Sequence, residues 1–436
     1  MRNIMKIMLL LTAATIAMLF AAPSISAAPI TSADTGNISW ILICSALVFI
    51  MTPGVALFYG GMLRKQSMSS ILVQTLATMS VMTVSWMLIG YTLAFGTDIH
   101  GIIGNLDHIF LKDVDAMSIS AGSTIPDMEF MLFQMMFAMI TAAIVLGACA
   151  ERVKFKAIII FLAIWSVAVY APMAHWVWGG GLFDQHLVVL DFAGGTVVHI
   201  CAAATGLAIA LALGKRSEHA VHRPHSIPMV FLGCLFLWVG WFGFNGGSGL
   251  AADGVAINAI VVTQVSAAFA AVSWSAVQYF HVGRVNVMGT IAGAVAGLVA
   301  ITPAAGFVGP SEAIAIGLIG GLVCYAGVTF MHKKMKVDDA ADVFGIHGIG
   351  GIWGAVATGI FALPAMTEAG YEGLLYGGTA LFAGQLVAVV ATLAFTFIVS
   401  LAIIKVIGKF TDIRLTETEE MIGADVIEHG EPSYNM

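Results

Sequence analysis

Two histidines lie deep inside apolar segments of this 436-residue chain. His199 lies near the end of the segment DFAGGTVVHI (191–200), and His347 lies in DDAADVFGIHGIGG (338–351). A polar side chain inside a membrane span is costly unless it has a partner or a function. A single membrane histidine is often no more than a hydrogen bond between helices. Two of them in corresponding segments favour another interpretation, in which neutral imidazoles pass protons and form hydrogen bonds with a small amine.

A carboxylate and a group of aromatic residues accompany these histidines. Asp191 lies eight residues before His199, which is about 12 Å along a helix. At a helix start it would accept hydrogen bonds from free N–H groups, and its charge would also favour an arriving cation. Phe133 and Phe137, one helical turn apart, could bind such a cation over their ring faces, although an interfacial aromatic belt is the simpler explanation. The other aromatic residues of this group are Trp178, Trp241, Phe242 and Phe244.

The composition indicates that membrane helices position these residues. Hydrophobic residues make up 59% of the chain and charged residues only 10%, whereas soluble proteins carry about 25% charged residues. The net charge of −7 gives no indication of nucleic-acid binding. The five cysteines all lie in apolar runs and predict buried thiols, not disulfides or a metal site. We expect no metal and no other cofactor.

Gaps between charged residues mark the candidate spans, because a membrane helix needs about 20 residues with few charges. After the first 28 residues there are eleven such gaps, each with an apolar core. We therefore predict an all-α membrane protein with eleven transmembrane helices. The gaps are bounded by Asp34/Arg64, Lys65/Asp98, Glu129/Glu151, Lys156/Asp184, Asp191/Lys215, Arg223/Asp253, Asp253/Arg284, Arg284/Glu312, Glu312/Lys333, Asp342/Glu368 and Glu372/Lys405.

Lysine and arginine predict the orientation, since they concentrate in cytoplasmic loops. Of the 18 basic residues, 15 fall in the odd-numbered loops or in the tail after the last span. Only Lys112 falls in an even-numbered loop, and those loops carry acidic residues such as Asp98, Asp184 and Asp253. The prediction places the N-terminus outside and the C-terminus inside.

The chain divides into a leader, a membrane domain and a tail. Residues 1–27 predict a cleaved signal peptide, because Arg2 and Lys6 precede a short apolar core and a run of small residues. A further spanning helix is the alternative for this segment. Residues 38–409 form the predicted membrane domain, and residues 410–436 form a polar cytoplasmic tail with a regulatory role.

The membrane domain carries signs of an internal repeat. FYGG (58–61) in the first span is matched by FNGG (244–247) in the sixth. The fifth span carries His199 eight residues after Asp191, and the tenth carries His347 five residues after Asp342. With five spans per half, the second half would start on the opposite side of the membrane. The predicted architecture is an inverted five-plus-five repeat plus one extra helix, with a path between the halves.

These motifs together resemble the Amt/Mep/Rh family of ammonium transporters, specifically its bacterial Amt branch. The resemblance runs from the first span through the tail, nearly the whole chain after the leader. The segments that carry it are TPGVALFYGG (52–61), FQMMFAMITAAIVLGACAER (133–152), HWVWGGG (175–181), DFAGGTVVHI (191–200), GWFGFNGGS (240–248), ITPAAG (301–306), DDAADVFGIHGIGG (338–351) and IGADVIEHGE (422–431).

The resemblance implies an outer site that recruits ammonium. Phe133, Trp178 and Ser248 would form this site, with two ring faces for the cation and one hydroxyl to accept from an N–H donor. Asp191 would be the essential carboxylate of the recruitment region. Thr302 resembles a threonine on the outer side of the eighth span and would support the site.

The resemblance also implies a pore. Phe137 and Phe244 would be the stacked rings that gate it, and His199 and His347 would be the histidine pair that lines it. Ammonium would lose a proton on entry, because a bare ion in a dry pore is too costly, and ammonia would pass the rings. We expect net charge movement, with the histidines helping to relay protons; an electroneutral ammonia channel is the alternative.

Partners and location follow from the same resemblance. It implies a multi-pass protein of the bacterial inner membrane, a homotrimer with one pore per subunit, and a cytoplasmic PII-type regulator. Ammonium or ammonia is the expected substrate, the lipid bilayer the surroundings, and nucleic acid is not expected as a partner.

Three other functions compete with transport of ammonium. A transporter for another cation would favour carboxylates in the middle of spans, and none is evident there. An ammonium-sensing receptor would use the same outer site, but the tail is too short for a signalling domain. A membrane enzyme is disfavoured, since neither HExxH nor GxSxG occurs.

Overall fold

A computed structural model describes residues 33–434, except 121, 220–222, 336 and 368–370. Within that part of the chain, ten helices are long and apolar enough to cross a membrane, and one shorter apolar helix lies among them. In chain order the helices are α1 Thr35–Met62, α2 Lys65–Phe95, α3 Asp127–Cys149, α4 Phe155–His186, α5 Gly195–Leu213, α6 Ile227–Gly246, α7 Gly254–Val282, α8 Val287–Ile301, α9 Pro310–Met335, α10 Phe344–Phe361, α11 Ala380–Ile407, α12 Glu417–Ile422 and α13 Ala424–His429.

The predicted spans correspond in order to α1–α11, but α8 departs from the expected length. It has 15 residues, which is about 22 Å and shorter than the roughly 30 Å hydrocarbon core of a bilayer. The helix ends at Ile301, just before Pro303, and the chain continues in turns through Phe307. The observed set is thus ten candidate spans and one short apolar helix in the described residues. The predicted signal peptide, residues 1–27, lies outside the described part.

Several long helices contain a turn of π-helix, in which the hydrogen bonds are looser than in an α-helix. Two of these turns open the helices that carry the histidines. Gly195–Ile200 begins α5 and contains His199, and Phe344–Gly348 begins α10 and contains His347. The others are Trp86–Gly90 in α2, Ser166–Tyr170 in α4 and Met331–Met335 at the end of α9.

Close packing of α1 against α6 brings the two predicted halves together. A side chain on Gly233 of α6 would meet the backbone of Phe58, and one on Gly54 of α1 would meet Phe236, each at 3.0 Å or less. Such approach between helix backbones requires small residues. The first helix of each predicted half therefore packs directly on the other.

A small hairpin lies after α2 and holds the end of α4. Strand β1 (Asp98–Ile99) pairs antiparallel with β2 (Ile103–Gly104). His175 of α4 is fully buried, and its Nε2 lies 2.9 Å from Oδ1 of Asp98. This hydrogen bond, together with those from Gln185 and the Gly101 backbone, lowers the pKa of Asp98 to about 2. The clamp fixes the last turns of α4, where Trp178 lies.

Charged residues join the loops at the other end of the bundle. Glu151, after α3, accepts from Arg64 Nε at 3.1 Å and pairs with Arg216 at 2.5 Å. Two guanidinium nitrogens of Arg216 also donate hydrogen bonds to the carboxylate of Asp338. Burial alone would raise the pKa of Asp338, but Arg216 outweighs it and holds that pKa at about 2. The network links the ends of α1, α3 and α5 to the segment before α10.

The tail after α11 folds onto this same face. Glu420 of α12 is 1% exposed; its carboxylate accepts from the Ser217 backbone at 2.8 Å and from Arg414 Nε at 2.9 Å. Its carbonyl accepts from Arg64 at 2.7 Å. Asp425 of α13 accepts from the backbone N–H of Ser70 at 2.7 Å. The tail is therefore an ordered part of the loop network.

Candidate functional site

Two stacked phenyl rings lie at one end of a small buried cavity between the helices. The ring centroids of Phe137 on α3 and Phe244 on α6 are 4.3 Å apart with an interplanar angle of 26°. Both side chains are almost fully buried. Phe133 lies one turn earlier on α3 and meets Phe137 edge-on, at a centroid distance of 5.0 Å. Rings stacked at this distance leave no room for a molecule between them, so passage between them requires a ring to move.

The residues predicted for cation recruitment lie together on one side of these rings. Trp178 meets Phe137 edge-on, with centroids 5.9 Å apart. The ring of Phe133 touches Gly247, next to Ser248. The hydroxyl of Ser248 donates to the Phe244 carbonyl at 2.8 Å, so its lone pairs remain available to accept from an N–H donor. Aromatic faces and a free acceptor suit a small cation that carries N–H groups.

Both carboxylate oxygens of Asp191 accept hydrogen bonds from residues at the start of α5. Oδ1 accepts from the N–H groups of Gly194 at 2.9 Å and Gly195 at 2.6 Å. Oδ2 accepts from the N–H and the hydroxyl of Thr196. The backbone carbonyl of Asp191 accepts from the indole N–H of Trp178 at 2.8 Å. Asp191 therefore caps α5 and holds Trp178 in place, which agrees with the capping role expected from its position at a helix start.

The two histidines contact each other beyond the phenyl rings. Nδ1 of His199 lies 3.3 Å from Nδ1 of His347, and the rings are nearly parallel with centroids 5.3 Å apart. In that arrangement one nitrogen donates and the other accepts, so the pair shares a proton. Nε2 of His199 is buried, and no partner for it occurs among the described residues. It is free to bind a small donor or acceptor in the path.

A cavity of about 10 Å³ adjoins the histidines, about the smallest space that holds one water molecule. Most of its lining is apolar, so a hydrated ion has neither the room nor the ligands to enter. The lining residues are Met51, Val55, Phe58, Tyr59, Ile140, Ile144, His199, Leu237, Trp241, Phe244, Val295 and His347.

Thr302 and Trp241 support one side of this cavity. The Trp241 ring stacks on His199 with centroids 5.4 Å apart. Its indole N–H donates to the hydroxyl of Thr302 at 2.8 Å, and that hydroxyl donates to the Leu298 carbonyl. Thr302 thus positions Trp241 against His199 and is placed behind the path. The sequence identified Trp241 only as one of several aromatic residues and missed this stacking.

In the predicted second half, Asp339 is a closer counterpart to Asp191 than Asp342, the residue that the sequence analysis pairs with it. Asp339, not Asp342, accepts from the Phe344 N–H at 2.6 Å at the start of α10. Asp339 precedes His347 by eight residues, the same spacing that separates Asp191 from His199. The unequal spacings of eight and five therefore came from pairing Asp191 with the wrong carboxylate.

Sequence reasoning also missed Glu129. The charge pattern places Glu129 at the boundary of the third span, but α3 already begins at Asp127. Glu129 is 7% exposed, and neither of its carboxylate oxygens has a hydrogen-bond partner in the described residues. The position of Glu129 one turn before Phe133 is the sequence signal that could have identified it.

Comparison with known proteins explains this arrangement of rings and histidines. The model of the Ammonium Transporter Family matches residues 39–434. The chain belongs to the ammonium transporter family. An ammonium transporter of Bacillus subtilis (strain 168) is 47% identical to it over 399 residues, which cover 92% of this chain and 98% of the relative.

Solved structures of the family have the same fold. Candida albicans Mep2 superposes with a TM-score of 0.83 at 34% identity, covering 92% of this chain and 91% of that one. A protein described as "Sensor Amt Protein" superposes with a TM-score of 0.83 at 30% identity, covering 90% of this chain and 98% of that one. The protein is thus a multi-pass membrane protein that transports ammonium.

Proposed function

We propose that ammonium binds at the outer aromatic site, loses a proton there, and crosses the bundle as ammonia past the phenyl rings and along the histidine pair. The observation that carries this proposal is the direct sequence of contacts from Trp178 through Phe137 and Phe244 to His199 and His347.

The recruitment step uses Phe133, Trp178 and Ser248. The ring faces attract the positive charge of ammonium, and the Ser248 hydroxyl accepts one of its N–H groups. Asp191 acts by position, since its carboxylate is occupied by the start of α5 and its carbonyl holds the Trp178 indole.

Deprotonation is needed at the phenyl rings. The cavity beyond Phe137 and Phe244 is too small and too apolar for a hydrated ion, and transfer of a bare ion into it is very unfavourable. Ammonia has no net charge and fits. Potassium has no proton to lose, so the same barrier excludes it.

The histidine pair receives ammonia and carries protons. Nε2 of His199 has no protein partner among the described residues, and His199 lines the cavity, so this nitrogen can accept from an N–H of ammonia. The Nδ1–Nδ1 contact with His347 provides the next step for a proton. The proton that ammonium loses outside passes first to water. We infer that water then delivers it to Nε2 of His199 while the Nδ1 proton of His199 moves to Nδ1 of His347, so that the proton crosses as well as ammonia and there is net charge movement.

Two alternatives keep the same outer site. In an electroneutral channel the proton would return outside and the histidines would only form hydrogen bonds with ammonia; the small, apolar cavity is compatible with this version. In a sensor, ammonium binding would change the inner face. The similarity to the protein described as a sensor is the observation that favours this second alternative.

The topology we propose has eleven spanning helices, α1–α11, with the N-terminus outside and the C-terminus inside after removal of residues 1–27. The short α8 would cross together with the turns that follow it. The α1–α6 contact and the matched pairs Asp191–His199 and Asp339–His347 support an inverted five-plus-five repeat with α11 as the extra helix.

The assembly we propose is a homotrimer in the bacterial inner membrane, with the tail, residues 410–436, regulated by a PII-type protein. The hydrogen bond from Arg64 to the Glu420 backbone carbonyl and the ion pair between Arg414 and the Glu420 carboxylate connect the tail to the loop network. Through Arg216 and Asp338 this network reaches the segment before α10, so a regulator that displaced the tail would act near the helix of His347.

Replacing Trp178 with leucine tests the recruitment site. Loss of a cation–π contact of about 1–2 kcal/mol predicts a roughly tenfold rise in the ammonium concentration that gives half-maximal current. Trp176→Leu, two residues away on α4, is the matched control and should leave that concentration unchanged. Equal effects of the two substitutions, or none, would contradict the recruitment site.

A further inference from the structure

Glu129 is a buried carboxyl without a partner at the entrance side of α3. It is 7% exposed, the backbone N–H of Leu42 on α1 is the donor near it, and neither oxygen forms a hydrogen bond of good geometry with a described residue. An ionisable side chain in such a place is costly to the fold and is a functional candidate in a membrane protein. Capping of α3 does not explain it, since a capping carboxylate accepts from at least one N–H of the first turn and Glu129 accepts from none there.

The position of Glu129 relates it to the outer aromatic site. Glu129, Phe133 and Phe137 are spaced by four residues, so they lie along one face of α3. Phe133 is the next side chain inward, and its ring touches Gly247 beside Ser248. A charge on Glu129 would therefore act about one helical turn from the ring that meets the cation.

The contrast with Asp191 indicates which carboxyl can act on the cation. The oxygens of Asp191 accept at least four hydrogen bonds from the start of α5, which offset its charge. Glu129 has none in the described residues. A nearby cation favours the ionised form of a carboxyl, and since no hydrogen bond of good geometry offsets the charge of Glu129, its field is left for that cation.

We propose that Glu129 is an affinity-determining residue of the outer site, whose negative charge attracts ammonium or another small protonated amine to Phe133. This inference rests on the recruitment site proposed above. Glu129 acts on the cation by its charge and is not required for passage through the rings. Its loss therefore weakens binding and leaves the maximal transport rate nearly unchanged.

The test compares Glu129→Gln, Glu129→Asp and Asp127→Asn in proteoliposomes, with ammonium currents measured over a range of concentrations. We expect Glu129→Gln to raise the half-saturating concentration roughly tenfold, as removal of one charge about a helical turn away would, with little change in maximal current. Glu129→Asp should restore most of the affinity. Asp127→Asn is the matched control, because Asp127 is hydrogen-bonded to Ser120, and should behave like wild type.

Other outcomes would overturn the inference. An unchanged half-saturating concentration in Glu129→Gln would exclude a role in affinity. A lower maximal current with a lower melting temperature or loss of the oligomer would indicate a structural role instead. If wild-type current did not saturate at all, the recruitment site itself would fail, and that result is distinguishable because it does not depend on Glu129.

Discussion

The helices that carry His199 and His347 each begin beside an aspartate that accepts hydrogen bonds from backbone N–H groups. The two aspartates differ in how many of their carboxylate oxygens have a partner. Asp191 and Asp339 each lie eight residues before the histidine, and each carboxylate accepts from the first N–H groups of a π-helical turn. Both oxygens of Asp191 are engaged. Oδ1 of Asp339 is buried and has no partner among the described residues.

Because of this difference, Asp191 is a rigid support, whereas Asp339 is a group that can change its charge. Asp191 holds the first turn of α5 and, through its carbonyl, Trp178. Burial, and then the charge of Asp342, raise the pKa of Asp339 from 3.8 to about 6. The carboxylates at the starts of α5 and α10 therefore differ in their capacity to change charge, although each lies eight residues before a histidine.

The largest effect is expected from Asp191→Asn. The amide would leave one or more backbone N–H groups facing another donor, which costs about 2–4 kcal/mol of unfolding free energy. We expect a lower melting temperature and a loss of ammonium current of at least roughly tenfold, since Trp178 would also lose its position. Asp339→Asn is the matched comparison and keeps an acceptor for Phe344. Equal losses of stability and current in the two variants would contradict the proposed difference between Asp191 and Asp339.

The pH dependence of stability sharpens the comparison at Asp339. Because its pKa is higher in the folded protein than its ordinary value of 3.8, the folded state binds this proton more tightly. That stabilisation is fully present below pH 3.8 and is lost as the pH rises through about 6. We therefore expect the melting temperature of Asp339→Asn, relative to wild type, to be higher at pH 7 than at pH 4.

Melting curves of the detergent-solubilised protein from pH 4 to 8 measure this effect. The comparison uses the difference between wild type and Asp339→Asn, since other groups titrate in both. A difference that did not vary with pH would contradict the titration of Asp339.

A smaller effect is expected from Thr302→Val, which tests the support behind His199. The substitution removes the acceptor of the Trp241 indole, and an unsatisfied buried N–H costs about 1–3 kcal/mol. We expect a modestly lower melting temperature and a partial loss of current. Thr358→Val is the control in α10, because among the described residues the Thr358 hydroxyl donates to the Gly354 carbonyl of its own helix. A current as low as that of Asp191→Asn would mean that Thr302 does more than position Trp241.

Much of the fold was predictable from the sequence, and the exceptions have physical causes. Gaps between charges located ten of the helices because lipid excludes charge from long segments. The same rule overestimated α8, since Pro303 and the following turns interrupt an uncharged stretch. It also concealed Glu129, because a rule that treats every charge as a boundary cannot find a buried one.

The resemblance to a known family predicted which residues of the site lie together. Residue chemistry alone would not have predicted this. The rings of Phe137 and Phe244 and the histidines lie together as expected. The π-helical turns at His199 and His347, and the choice of Asp339 over Asp342 as the cap, depend on backbone hydrogen bonds that side-chain type does not specify. The stacking of Trp241 on His199 depends on packing between α5 and α6 in the same way.

The central claim is that ammonium is deprotonated outside and that its proton crosses with ammonia along His199 and His347. The direct test is to adsorb proteoliposomes on a capacitive membrane and apply pulses of ammonium and of potassium to wild type and His199→Ala. We predict a saturable current with ammonium, none with potassium, and loss of the ammonium current in His199→Ala. No wild-type current, with internal pH still rising after the ammonium pulse, would contradict the claim and establish an electroneutral ammonia channel.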